Sequence, residues 1–281
     1  MSVPRAGVVV SPCTADAMVR KVHLAGTTNV RDLGPLPIHD GRWVRRGKVF
    51  RGEALTGLGP GPRHLDGDEA QPFKGLGLRT ILDLRSDNEY AARPSAWSAV
   101  SGATVRRFPV AEGGEGSDTY LMGLIAAGRI TQFSAEDLGQ FYIGALRRQS
   151  ATFGSVLRTL SREQALPSLI HCANGKDRTG IVVAVLLSFL GVPRDHIVAD
   201  YLFSGTSQPD LIDRFVDQIR SAGAEPDAVR PMFETPAVAM HMLLDHLESQ
   251  PGGTVRYLVG HAGLQPQELD RLQSLLTTDS P

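Results

Sequence analysis

The run IVVAVLLSFL, residues 181–190, is apolar on every helical face apart from Ser188. Such a helix is stable only when other elements cover it all round, so it belongs in the middle of a domain. Gly191 and Pro193 end it. Just upstream, residues 166–172 (LPSLIHC) read as a buried strand. A buried strand followed closely by a buried helix is the core of an α/β fold. It commits residues 173–180 to the place where strand and helix meet.

The rest of the chain supplies the cover. VHLAGTTNVRDLG (22–34) and GRWVRRGKVFRGE (41–53) read as short strands joined by turn residues such as His39-Asp40-Gly41. RTILDLRS (79–86) and TVRRFPV (104–110) read as two more strands. Residues 57–77 are rich in Gly and Pro and predict a loop with at most a weak helix. EGGEGSD (112–118) feeds the apolar TYLMGLIAAGRI (119–130). Residues 112–133 therefore read as an insertion, either a helical lid or a surface loop packed on the core. Leu138, Phe141, Tyr142 and Leu146 share one helical face, as do Phe153, Val156, Leu157 and Leu160. Further amphipathic helices are expected near 194–203, 208–221, 236–248 and 266–276. The predicted fold is α/β, a small central sheet flanked by helices with a helical C-terminal part. It forms one domain over 21–281 after a loose lead-in of residues 1–20.

Charge and cysteine content narrow the function classes. Of 281 residues, 29 are Lys or Arg and 30 Asp or Glu, so no basic field for nucleic acid is expected. Any anion recognition must be local. Two cysteines, Cys13 and Cys172, give no disulfide framework and point to a reducing compartment. The apolar run from Gly7 to Val10 is too short for a signal peptide, and 181–190 is too short to span a bilayer. The expectation is a cytoplasmic protein without integral membrane association, with secretion lacking a signal peptide left open.

The junction 171–180 reads HCANGKDRTG. Loop N–H groups at a helix N-terminus form an anion cradle, and glycines such as Gly175 and Gly180 let its backbone approach a ligand. Cys172 sits at the mouth of that cradle, where a positive field favours the nucleophilic thiolate. Arg178 follows six residues later, and its planar fork matches two oxygens of a phosphate. Nucleophile, cradle and clamp together fit phosphoryl transfer to sulfur.

The pattern H-C-x-x-G-K-D-R-T-G resembles the loop of the cysteine-dependent protein tyrosine phosphatases. Its Lys-Asp-Arg form resembles the bacterial branch of that family. NVRDLG (29–34), VFRGE (49–53), ILDLRS (81–86) and IVADYLFS (197–204) resemble it in the same order. The resemblance implies a phosphoric monoester hydrolase acting on phosphotyrosine, phosphoserine, phosphothreonine and phosphoinositides through a phosphocysteine. Cys172 would attack phosphorus. Arg178 and the backbone of Ala173, Asn174, Gly175, Lys176 and Asp177 would bind the phosphate oxygens. Thr179 would hydrogen-bond the sulfur, and His171 would support it without acting as a base. Lys176 would be the extra cation associated with lipid phosphates. Neither metal nor cofactor is implied.

The chain departs from the family in two places. The family often places an acidic general acid after the strand equivalent to 104–110. Here FPVAEGGEGSD has Glu112 and Asp118 but no aspartate directly after the proline. The candidate acids are Asp177 first, then Glu112 and Asp118. Gly52 stands where relatives carry serine. Arg31, Asp32, Asp83 and Arg85 are expected to be structural, with Asp200 and Tyr201 packed behind the loop. Cys13 reads as incidental, and His241, His246 and His261 as surface residues. Three other readings stand beside this one. They are a phosphatase of a small metabolite such as a nucleotide or sugar phosphate, a rhodanese-like sulfur transferase, and a non-catalytic phosphate-binding module.

Overall fold

Alternation of side chains along the strands builds a sheet with two buried faces. The computed structural model describes residues 19–56, 70–111 and 120–281. The main sheet holds β1 (Arg31–Asp32), β3 (Val49–Gly52), β4 (Thr80–Asp83), β5 (Thr104–Arg107) and β6 (Ser168–His171), in the order β1-β3-β6-β4-β5. β3, β6, β4 and β5 are parallel, and β1 is an antiparallel edge. Val49, Leu82 and Ile170 point to the larger core, while Phe50, Ile81 and Leu169 point to a smaller one around Phe73 and Trp97. A parallel sheet needs this double cover, because its strands are apolar on both faces. β2 (Trp43–Val44) pairs apart from it with β7 (Thr277–Thr278).

The helices in chain order are α1 (Gln71–Gly75), α2 (Asp87–Ala92), α3 (Trp97–Ser101), α4 (Leu121–Ala126), α5 (Ala135–Arg148) and α6 (Ser150–Leu160). After β6 come α7 (Asp177–Leu190), α8 (Arg194–Thr206), α9 (Val216–Ser221), α10 (Pro226–Val229), α11 (Ala237–Glu248), α12 (Gly253–Gly260) and α13 (Pro266–Leu276). α7 is the expected central helix, with every residue from Arg178 to Leu190 buried except Ser188, and Gly191 closes it at φ 84°. Each fully buried Val, Leu, Ile or Phe contributes about 1.5–3 kcal/mol. The apolar body of α7 thereby anchors a first turn whose Arg178 and Thr179 are polar and buried.

Several elements differ from the sequence reading. The stretch 22–34 is strand only at Arg31–Asp32. Gly26 at φ 74° turns the chain so that Val22 N–H donates to Val30 O. The stretch 41–53 is two strands, split at Gly47 with φ 68°. The central helix begins four residues earlier than Ile181, so Arg178 and Thr179 lie on its first turn rather than in the loop. The expected helix over 208–221 is interrupted at Phe215 (φ −124°, ψ −1°), with a 3-10 turn at Ile212–Arg214 before it and α9 after it. α2, α3, α10 and α12 lie outside the elements that the sequence pattern predicts. The folded unit also takes in Arg20, expected in the lead-in but buried against Asp200. Within 112–133, α4 buries Met122 and Ile125 in the larger core. Among the described residues no helix is long and apolar enough to cross a membrane.

Candidate active site

Parallel pairing brings three strand ends to one level. Gly52, His171 and Asp83 are in register across β3, β6 and β4. Ligands of open α/β sheets bind outside such carboxyl ends. Cys172 follows β6 directly, is 3% exposed, and opens the loop that leads into α7.

Every loop carbonyl from Cys172 to Lys176 is tied by a hydrogen bond. Cys172 O accepts from His171 Nδ1 (3.0 Å), and Ala173 O from Ala54 N–H (3.0 Å). Asn174 O accepts from Asn29 Nδ2 (3.0 Å) and Gln208 Nε2 (3.4 Å). Gly175 O accepts from Arg51 Nη2 (2.7 Å) and Asn29 Nδ2 (3.3 Å), and Lys176 O from Gly180 N–H (2.8 Å). With the carbonyls held back, none of the N–H groups of residues 173–179 donates a hydrogen bond to another described residue. A run of unpaired N–H groups at a helix start is an anion cradle. Gly175 is required in it twice. Its φ is +66°, and a Cβ there would stand 2.3 Å from Gly52 O. A Cβ at Gly52 would in turn stand 2.8 Å from Val30 Cγ2, which gives glycine at 52 a packing reason.

Beneath the cradle lies a charge cluster. Asp200 on α8 accepts from Arg20 Nη2 (3.1 Å), Arg31 Nε (2.9 Å) and Arg51 Nη1 (2.5 Å), and all four side chains are almost fully buried. Burial alone would raise the Asp200 pKa, but Arg31, Arg51 and Arg20 outweigh it and hold the carboxylate far below the usual range. Burial, with Arg51 alongside, pulls Arg31 down to about 9 against the attraction of Asp200. Three cations share one anion, so the excess charge under the cradle is positive and favours a bound anion.

Arg178 is oriented by a residue that the sequence reading did not single out. Its Nη1 and Nη2 donate to Glu89 Oε2 (2.6 Å) and Oε1 (2.7 Å). Glu89 also accepts from Ser86 N–H (2.8 Å), closing a capping box at the start of α2. Burial opposes both charges, yet each holds the other ionised: Glu89 is shifted down and Arg178 up. The S-x-x-E signature at 86–89 was legible as a helix start; its second duty was not. Glu89→Gln is expected to lower kcat/KM by about 10–100-fold, because small misplacements of a positioning group cost up to about 10². Steady-state kinetics at unchanged folded fraction would check this, and an unchanged kcat/KM would contradict the orienting role.

Burial lowers the His171 pKa, with Asp83, 3.7 Å from Nε2, pulling the other way. Facing a carbonyl, Nδ1 must be the protonated nitrogen, and Nε2 has no hydrogen-bond partner among the described residues. Thr179 Oγ1 is also buried without one. Asp177 Oδ1 accepts from Tyr142 Oη (2.5 Å) and lies 3.6 Å from Lys176 Nζ. Tyr142 Oη is 2.8 Å from Tyr201 Oη, and burial first of all raises both phenols well above their ordinary values. Lys176 Nζ donates to Met232 O (2.8 Å) and Glu234 O (2.9 Å). It ties the cradle to the segment before α11.

Cys172, Ala173, Asn174, Lys176, Asp177 and Arg178 line one cavity of about 470 Å³, and Tyr120, Phe141, Phe215 and Phe233 give it aromatic walls. Gly175, Thr179 and His171 lie behind its lining. Glu112, Asp118 and Cys13 fall outside the described residues. A family model described as the tyrosine phosphatase family matches residues 22–278. The chain belongs to the tyrosine phosphatase family. This tyrosine phosphatase is 29% identical over 260 residues to an inferred tyrosine-protein phosphatase of Cupriavidus necator, covering 89% of this chain and 88% of that protein. It is 32% identical over 216 residues to the triple specificity protein phosphatase PtpB of Mycobacterium tuberculosis, covering 70% and 74%. It is 30% identical over 205 residues to a tyrosine-protein phosphatase of Nostoc commune, covering 70% and 66%. The tyrosine phosphatase described here is accordingly a phosphoric monoester hydrolase acting on phosphorylated substrates.

Proposed function

We propose that this phosphatase works through a phosphocysteine at Cys172 on phosphotyrosine, phosphoserine or phosphothreonine and phosphoinositides. The observation that carries the reading is the cradle: N–H groups of 173–179 that have no partner among the described residues precede and begin α7, and Cys172 and Arg178 line one cavity. The thiolate attacks phosphorus, and the sulfur–phosphorus bond forms as the ester oxygen leaves. The cradle N–H groups and Arg178 carry the charge on the phosphate oxygens. Thr179, buried and without a hydrogen-bond partner for Oγ1 among the described residues, is the hydroxyl available to the sulfur when water releases phosphate. His171 supports the loop by donating from Nδ1 to Cys172 O and is not the base. Asp177 is the acid for the leaving group, since it lines the cavity beside Cys172. The aromatic walls suit an aryl phosphate, and the name of the mycobacterial relative supports more than one phosphoester class. We read the folded chain as one phosphatase domain, and its two cysteines suit the cytoplasm.

Arg178→Lys tests the reading. Lysine keeps the charge but cannot form the fork. Losing a donor aligned with the transition state costs on the order of 10²–10³ in rate. Retention of more than about a third of wild-type kcat/KM would contradict the clamp, given that expected loss.

A further inference from the structure

Asp177 is held by one of its two oxygens. Oδ1 accepts from Tyr142 and faces Lys176, whereas Oδ2 has no hydrogen bond to any described residue. Tyr142 comes from α5 and is fully buried, so its hydroxyl cannot trade Asp177 for water. Tyr201 comes from α8, is 1% exposed, and meets Tyr142 edge to face with ring centroids 5.9 Å apart. Each phenol owns one proton. Tyr142 spends its proton on Asp177, and so its own oxygen must accept from Tyr201. The direction of donation is therefore fixed along the whole line, from Tyr201 to Tyr142 to Asp177 Oδ1.

We propose that Tyr142, held in turn by Tyr201, is a positioning residue that keeps Oδ1 of Asp177 an acceptor and so confines the transferable proton to Oδ2. The inference rests on the reading of Asp177 as the acid. In the first step the sulfur–phosphorus bond forms, the bond from phosphorus to the ester oxygen breaks, and the proton on Oδ2 passes to that oxygen. In the second step Oδ2 takes a proton from the attacking water as the sulfur–phosphorus bond breaks. Without Tyr142 the carboxyl group can rotate about its last bond, and the proton is shared between an oxygen facing the cavity and one facing α5. Aspartate at 177 would then be present but misaligned.

The experiment compares kcat/KM for two aryl phosphates, one with a good and one with a poor leaving group, in the same preparation. A ratio of this kind is insensitive to the fraction of folded enzyme. General acids contribute about 10²–10⁴, and a good leaving group needs little of that. Tyr142→Phe is expected to lose about 10–100-fold on the poor substrate and no more than about 3-fold on the good one, a part of the acid's full contribution. Tyr201→Phe should show the same bias, more weakly. In an Asp177→Asn background, Tyr142→Phe should change the ratio no further, since residues acting as a unit are not additive. Equal losses on both substrates, or a further change in the Asn background, would overturn the inference and leave Asp177 as the acid. If Asp177→Asn itself shows no leaving-group bias, the acid assignment fails first, and this inference falls with it.

Discussion

Cys172→Ser is expected to abolish turnover, by about 10⁴-fold or more, as losses of a catalytic nucleophile do, while binding of phosphate esters survives. The two outcomes separate because different atoms supply them. On the proposed mechanism, binding comes from the N–H groups of 173–179 and from Arg178, none of which the substitution touches. Chemistry needs an anion at position 172. A serine hydroxyl is a weak nucleophile without an adjacent base, and His171 lies outside the cavity lining, with Nε2 3.7 Å from Asp83 Oδ2. Calorimetric titration with inorganic phosphate, beside kinetics on an aryl phosphate, would check both halves. A serine variant that turns over at more than about a hundredth of the wild-type rate would be at odds with a nucleophilic role. Loss of phosphate binding would be at odds with a backbone cradle.

Asp200→Asn is expected to be the most destabilising single change at the site. It leaves Arg20, Arg31 and Arg51 buried together with no counter-charge. Removing one partner of a buried ionic cluster costs about 3–5 kcal/mol. In a chain of this size 1 kcal/mol moves Tm by about 2–4 °C, so a drop of roughly 6–20 °C is expected near neutral pH. Arg51 also holds Gly175 O, so the surviving folded fraction should bind phosphate more weakly. The pH dependence follows from the direction of the shift. The Asp200 pKa is depressed in the folded state, so its contribution is fully present above the unfolded value of about 3.9 and fades as pH falls below it. Scanning calorimetry should show the gap between wild type and variant narrowing below about pH 4, the range in which the unfolded carboxyl protonates. A gap of less than about 2 °C at pH 7 would contradict the account of the cluster.

The centre of the fold and the loop that carries the candidate site are legible in the chain because they are local. LPSLIHC and IVVAVLLSFL declare a buried strand and a buried helix within 25 consecutive residues, and the loop between them can only lie at the strand end. The start of α7 was set too late because Asp177, Arg178 and Thr179 interrupt the apolar pattern, although they are helical. α2 and α3, of six and five residues, are too short to show a period. The support of the site was hidden for a different reason. Arg20 and Asp200 are separated by 180 positions, and Asn29 reaches Asn174 across 145. No spacing rule links residues so distant. NVRDLG and VFRGE are visible in the chain only as stretches that resemble the family. That Asn29 and Arg51 hold the cradle carbonyls follows only from the strand order that sets β3 beside β6. Lys176, by resemblance the extra cation associated with lipid phosphates, lines the cavity and also donates to the carbonyls of Met232 and Glu234, a tie that no motif announces.

The most direct test of the central claim is to trap the intermediate. Wild-type enzyme mixed with excess aryl phosphate and quenched in acid within milliseconds should carry the added mass of one phosphoryl group. Peptide mapping should place it on Cys172, and the Cys172→Ser variant should carry none there. Full turnover with no phosphoryl group on Cys172 at any quench time, or with the group mapped to another residue, would contradict the phosphocysteine mechanism.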